Sequence, residues 1–305
     1  MIADNEHYSQ RGLRLLSPTL KQLNPLSLTV EQQHEEAIAR AGKMSIQGVQ
    51  IKLSAVLNKK HGHFEVVDNH GDYILKMQNA SYPEMPENEA LTMSLAETIG
   101  LKVPVHGLIY GADGKFVYFV KRFDRLPKKK KLAMEDFAQL SGFDRETKYN
   151  SSIEQVVHII NQYCTYPKVE FVTLLKLTLF NFLVGNEDMH LKNFSLITKN
   201  GKTTLSPMYD LLSTTIAMTR PSEEMALPMK GRKSNLTSGN FLDYFAKDRL
   251  GLNQKTIDQV CEEIKSQLPR WREMIAHSFL SEPMKEKYLE LLSEREKRLN
   301  LSVEG

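Results

Sequence analysis

Cysteine is scarce: Cys164 and Cys261 are the only two in 305 residues, far apart and without CxxC or Cys/His spacing. That excludes a disulfide scaffold and a cysteine-built metal centre, and fits buried thiols in a reducing compartment. Long hydrophobic runs are missing too. The longest uncharged apolar stretch of note, Leu177 to Asn186, is about half of the ~20 residues that span a bilayer. The opening MIADNEHYSQR has no apolar segment of the kind a secretory leader needs. A cytoplasmic protein is therefore expected, with no membrane contact. Charge of one sign is also lacking, with 40 Lys and Arg against 37 Asp and Glu, a formal +3. So small a surplus gives no global field toward nucleic acid, and no direct nucleic-acid binding is expected. Lys128 to Lys131 is a basic run without interleaved aromatics and reads as a solvated connection. What is present, 41% hydrophobic and 25% charged residues, is ordinary globular composition. The length allows one large domain or two lobes sharing a cleft.

The order of elements is informative. Thr29-Val-Glu-Gln32 is a capping-box pattern opening a helix that Gly42 can close. Val49, Ile51, Leu53, Ala55 and Leu57 alternate as one face of a strand. His63-Phe-Glu-Val-Val and Tyr73-Ile-Leu-Lys76 read as two more, and a helix is expected from about Glu87 to Gly100. A hairpin follows, with strands near Val105 to Tyr110 and Lys115 to Phe123 around Gly111-Ala-Asp-Gly114. From Met134 onward the periodicity is mainly helical, near 152–164, 169–184, 254–268 and 283–298. One β hairpin, Phe194 to Ser206, interrupts it. The expectation is an α+β, bilobal fold: a β-rich N-lobe over residues 1–125 and a mainly helical C-lobe over 126–305.

The chemistry concentrates in Gly185-Asn-Glu-Asp188-Met-His190-Leu-Lys192-Asn193, between an apolar helix and that hairpin. Asp188 and Asn193 have the spacing of the catalytic Asp and metal-binding Asn of a kinase catalytic loop. Phosphoryl transfer needs a carboxylate to take the acceptor hydroxyl's proton and an amide oxygen to help hold magnesium on the phosphates. A second acidic ligand belongs just past the hairpin, where Met208-Tyr-Asp210 stands. Lys76 ends the third strand, the place of a phosphate-binding lysine, and Glu89 near the start of the next helix is a candidate partner. Each piece has a plainer reading. Asp210 can cap a helix beginning near Leu211, and Glu89 can serve only to favour a helix N-terminus. The order of lysine, helix, hinge, Asp-x4-Asn, hairpin and Asp is what favours phosphoryl transfer.

At these residues the chain resembles the HipA-like serine/threonine kinase toxins, in the short HipT-like form found in three-part toxin–antitoxin systems. Ser45-Ile-Gln-Gly-Val-Gln-Ile-Lys52 resembles the family's Ser-x-x-Gly-x-Gln-x-Lys loop, and Val120-Lys-Arg-Phe-Asp124-Arg its hinge. Gly185 to Ser195 resembles the catalytic motif and Leu205 to Asp210 the metal-binding segment. The resemblance implies a protein-kinase-like fold using ATP and Mg2+. It implies Asp188 as catalytic base, with Lys192 steadying the transferring phosphate, and Asn193 and Asp210 as magnesium ligands. Gly48, Lys76, Phe123, Asp124 and His190 would contact ATP, with a loop-bracing hydrogen bond the other reading of His190. Ser45 would be an autophosphorylation site whose phosphate displaces nucleotide. The implied partners are antitoxins, including a small helix-turn-helix DNA-binding protein, and a protein substrate of the aminoacyl-tRNA synthetase class. The departures are a single loop glycine, Gly48, in place of GxGxxG, Glu187 where kinases carry arginine before the base, and no APE motif. Two other readings stand beside it: a catalytically silent kinase fold acting as a binding module, and a metal-dependent hydrolase on Asp188, His190 and Asp210.

Overall fold

A computed structural model describes residues 2–4, 7–40, 52–127, 130–142, 149, 151–218 and 223–301. Ser45, Gln47 and Gly48 lie outside the described residues, as do Gly42, Lys128 and Lys129. Contacts divide the chain into two units, Met1–Ala90 with Pro104–Lys130, and Leu91–Val103 with Lys131–Gly305.

In the first unit, helix α1 (Val30–Arg40) opens on the expected capping box. The Gln32 N–H donates to Thr29 Oγ1 at 3.3 Å, and the Thr29 N–H donates back to Gln32 Oε1 at 3.0 Å. Strands β1 (Lys52–Asn58), β2 (His63–Val66), β3 (Tyr73–Lys76), β4 (His106–Tyr110) and β5 (Phe116–Lys121) form one antiparallel sheet in the order β2-β1-β3-β5-β4. Period-two alternation sends Leu53, Ala55, Tyr73, Leu75 and Phe119 to one face, where all are buried. Phe64 meets Tyr73 edge-on at 5.0 Å and Phe119 at 5.3 Å. The same core takes in Leu13, Leu16, Leu20, Leu23 and Leu26 from the chain's start. Each such leucine contributes about 1.5–3 kcal/mol of burial. Sequence periodicity did not single out this segment, because only a short helix, Gln10–Leu16, lies in it. The opposite face of the sheet carries Lys76.

Helix α2 (Met85–Thr98) follows β3, and the boundary between the units falls within it, after Ala90. In the second unit, strand β6 (Ala133–Asp136) precedes α3 (Ile153–Tyr163) and α4 (Pro167–Val184). Strands β7 (Ser195–Lys199) and β8 (Lys202–Leu205) come next, then α5 (Gln254–Ala276) and α6 (Glu282–Arg298). An 11-residue helix with i→i+5 bonding, Gly239–Arg249, precedes α5. Helix α4 is largely apolar from Phe171 onward, with Leu174, Leu177, Phe180 and Phe182 fully buried, so it forms the centre of this unit.

Three expectations are corrected here. The hairpin is not the only β structure after residue 126: β6 pairs with β7, making a three-stranded sheet in the order β6-β7-β8. Helix α5 does not stop near 268 but passes Pro269 and runs to Ala276, because Leu268, Trp271 and Ile275 continue its buried stripe. Trp271 is fully buried, not partly, stacking edge-on against Phe180 at 5.5 Å and donating its Nε1–H to Thr98 Oγ1 at 2.6 Å. Its arginine neighbours sit about 100° away round the helix and say nothing about its own face. Both cysteines are free thiols, Cys164 buried and Cys261 half-buried. Among the described residues no helix is long and apolar enough to cross a membrane.

Candidate active site

Lys76 stands at the end of β3, directly opposite Lys52 on β1 and Tyr118 on β5. Directly opposed residues share a face, so the register sets the three side by side. Lys76 is 3% exposed and its Nζ lies 2.5 Å from Oε1 of Glu89, itself 1% exposed. The ammonium also lies 5.6 Å from the Tyr118 ring centre. Two charges so deeply buried are tolerable only as partners, so Glu89 does more than favour a helix end. Glu87, two residues earlier, is held instead by Gln78 Nε2 at 2.9 and 3.0 Å, and burial pushes its carboxyl above the ordinary range. Farther along this unit the Asp124 carboxylate is gripped by Arg122 at 3.3 and 3.4 Å and by Arg125 at 3.5 Å. Phe123 beside it is half-buried.

In the second unit α4 ends at Gly185 in the left-handed conformation, φ 66°. A Cβ there would stand 2.5 Å from Thr215 Oγ1 and 2.6 Å from Leu291 Cδ2, so only glycine fits. The next turn is braced from behind. Asn186, 1% exposed, donates to Asn181 Oδ1 at 3.1 Å and accepts the Asp188 N–H at 3.2 Å. Asp188 itself faces outward, its side chain 46% exposed. Asn193 closes the short helical turn Leu191–Asn193 and donates its Nδ2–H to the Asp188 carbonyl at 2.9 Å. With that nitrogen committed, Oδ1 is the face of the amide left to meet a cation. Lys192, in the same turn, is half-exposed. His190 is buried, its Nε2 3.8 Å from Asp188 Oδ1, and its backbone bonds to Asp188 and Asn193 hold the turn.

The Asp210 segment is stitched to this loop. Tyr209 donates its hydroxyl hydrogen to the Lys192 carbonyl at 2.9 Å and pairs with Ser195 Oγ at 2.6 Å. Thr214 Oγ1 accepts the Glu187 N–H at 2.7 Å and donates to the Gly185 carbonyl at 3.1 Å. Thr215 Oγ1 lies 3.1 Å from the Gly185 carbonyl and 2.7 Å from Glu187 Oε1. Burial raises the Glu187 carboxyl's pKa against this last bond. Asp210 has φ 55°, and the helix after it starts only at Thr214. The plainer reading of Asp210 as cap of a helix at Leu211 is therefore wrong: the left-handed backbone turns the chain away before any helix begins. Among the described residues no three His, Cys, Asp or Glu side chains converge as a metal-holding group.

Sequence reasoning passed over Asn186, Tyr209, Thr214 and Thr215, whose polar side chains after an apolar helix look like ordinary loop residues. It also passed over Tyr149, which donates its hydroxyl hydrogen to Asp188 Oδ1 and sets its ring edge-on to His190 at 5.0 Å. Burial, and next the Asp188 bond, push the Tyr149 phenol well above its ordinary range. Lys52 was legible only as a motif letter; the strand register is what sets it beside Lys76.

The second unit thus carries two carboxylates and an amide oxygen on one stitched loop, and the first unit carries a buried lysine–glutamate pair. The HipA-like C-terminal domain family matches residues 44–272. A Haemophilus influenzae protein named "Putative kinase" is 30% identical over 330 positions, covering 96% of this chain and 93% of its own. This chain belongs to the HipA-like family. A Sinorhizobium fredii protein named "Putative kinase Y4dM" is 37% identical over 203 positions, 60% of this chain and 48% of that one. The serine/threonine-protein kinase toxin HipA of Shewanella oneidensis is 28% identical over 190, 56% and 43% of the two chains. The match thus spans under half the length of these last two relatives. A Shewanella oneidensis HipA structure, in complex with HipB and operator DNA, superposes with TM-score 0.71 at 23% identity, over 92% of this chain and 74% of that one. The Helicobacter pylori proinflammatory kinase CtkA superposes with TM-score 0.58 at 18% identity, over 85% and 92%. The α+β, protein-kinase-like fold expected from the sequence is the one these structures have.

Proposed function

We propose that this protein is an ATP- and magnesium-dependent serine/threonine kinase of the toxin type. The observation that carries the reading is the buried Lys76–Glu89 pair, a strand lysine held by a helix glutamate as kinases hold the lysine that meets ATP phosphates. A silent binding module has no need of two buried charges in that place. Asp188 orients the acceptor hydroxyl and takes its proton, and Lys192 steadies the transferring phosphoryl oxygens. Asn193, through Oδ1, and Asp210 are hard oxygen donors suited to magnesium, which when bound neutralises charge on the terminal phosphates. Lys76 donates to the phosphates, while Phe123, Asp124 and His190 serve the nucleotide. The resemblance makes Gly48 a nucleotide contact and Ser45 an autophosphorylation site, and a phosphate there adds about −1.5 to −2 charge, which opposes the binding of ATP phosphates.

The Shewanella relative's complex with HipB and operator DNA supports an antitoxin partner here too, and the resemblance implies a small helix-turn-helix DNA-binding protein. An aminoacyl-tRNA synthetase is the substrate class the resemblance favours. The test uses phosphatase-treated protein incubated with Mg-ATP, with phosphate mapped by intact and peptide mass spectrometry. One phosphate at or near Ser45 is expected, formed about 10²–10⁴ times more slowly in Asp188→Ala. Wild-type protein that neither binds Mg-ATP nor gains phosphate moves the assignment to a silent binding module.

A further inference from the structure

The contacts around residue 188 divide into two kinds. Backbone bonds to Asn186 and Asn193 fix the loop, and the side-chain bond is the one from Tyr149. A phenolic O–H donating to Oδ1 of the base is the interaction an acceptor hydroxyl makes just before phosphoryl transfer. Tyr149 is 39% exposed. Its ring is steadied on the same side by His190, edge-on with 82° between the planes. The phenol therefore takes the Asp188 oxygen that His190 Nε2 approaches at 3.8 Å, on a carboxylate whose side chain is 46% exposed.

We propose that Tyr149 is a built-in competitor for the acceptor hydroxyl: its phenol holds the acceptor's place on Asp188 and must leave before any acceptor is phosphorylated. The proposal rests on the kinase reading of Asp188. It makes idle turnover slow, because water meets the same obstruction as a substrate. A protein acceptor has to displace the phenol with contacts of its own, which selects acceptors that bind over a wide surface.

Hydrolysis of Mg-ATP needs no identified substrate, since water is the acceptor, and Tyr149→Phe keeps the ring against His190 while removing the hydroxyl. The variant is expected to hydrolyse Mg-ATP about tenfold faster than wild type at unchanged KM for ATP, the low end for a hydrogen bond to a charged group. Adding Asp188→Ala to it should abolish the gain. A variant that melts with wild type yet hydrolyses at the same rate or more slowly overturns the proposal and makes Tyr149 a positioning residue. The contact itself is read without catalysis, by tetranitromethane nitration mapped to Tyr149. Nitration proceeds through the phenolate, so Asp188→Ala should nitrate several-fold faster there than wild type. Equal nitration removes the contact and the proposal with it. A nitration difference in a protein that binds no Mg-ATP leaves the contact standing but overturns both the competitor role and the kinase reading.

Discussion

Replacing Glu89 by glutamine keeps its shape and removes the counter-charge of an ammonium that is 3% exposed. Stranding one member of a buried ion pair costs about 3–5 kcal/mol. The Tyr118 ring at 5.6 Å offsets part of this, about 0.5–2 kcal/mol for a cation over an aromatic face. The pair outweighs the ring, leaving a net loss of about 2–4 kcal/mol, or roughly 5–15 °C at the usual 2–4 °C per kcal/mol. Lys76→Met should cost a similar amount by stranding the glutamate. The double variant Lys76→Met/Glu89→Gln should recover most of the loss, because replacing both members of a buried pair is often near neutral. The assay is melting followed by far-UV circular dichroism. Single variants that melt within about 1 °C of wild type, or losses that simply add in the double variant, would refute the pair.

Gly185→Ala forces a Cβ to 2.5 Å from Thr215 Oγ1 at a left-handed residue. It should cost about 2–4 kcal/mol and slow phosphoryl transfer by misplacing Asp188, read by urea unfolding beside the phosphorylation assay. The Glu224 carboxylate gives a pH prediction. Burial works to raise its pKa, but Arg298 at 2.6 and 3.0 Å and the Leu236 N–H at 2.9 Å prevail and hold it below the ordinary 4.5. A depressed carboxylate contributes stability that is complete above its unfolded value and is lost as pH falls through the folded one. Melting temperature followed from pH 7 down to about 3 should therefore fall less steeply for Glu224→Gln than for wild type, and parallel curves would count against this account.

The sequence revealed what is written in local pattern. Alternation found the five-stranded sheet, with β3 at Tyr73–Lys76 to the residue, and the capping box placed the start of α1. The Asp-x4-Asn spacing located a loop whose backbone the structure braces on both sides. What escaped was set by contacts distant in sequence. Strand β6 has only exposed and half-buried residues, so no apolar alternation announced it, and pairing with β7 alone makes it a strand. Tyr149 lies 39 residues before the carboxylate it meets, in a polar stretch without period. Thr214 and Thr215 read as generic loop hydroxyls until their acceptor, the Gly185 carbonyl, is seen. Glu89 was ambiguous because one residue type suits both a helix start and a lysine partner, and burial decided between them.

The threonine stitch bears on how inactive relatives are recognised. Asp188 and Asp210 are the letters a motif search reads, yet their alignment is kept by two hydroxyls and by a residue with no side chain at all. On the kinase reading proposed above, a homologue that retained Asp188, Asn193 and Asp210 but lost Gly185 and Thr215 is expected to keep the motif and lose the activity.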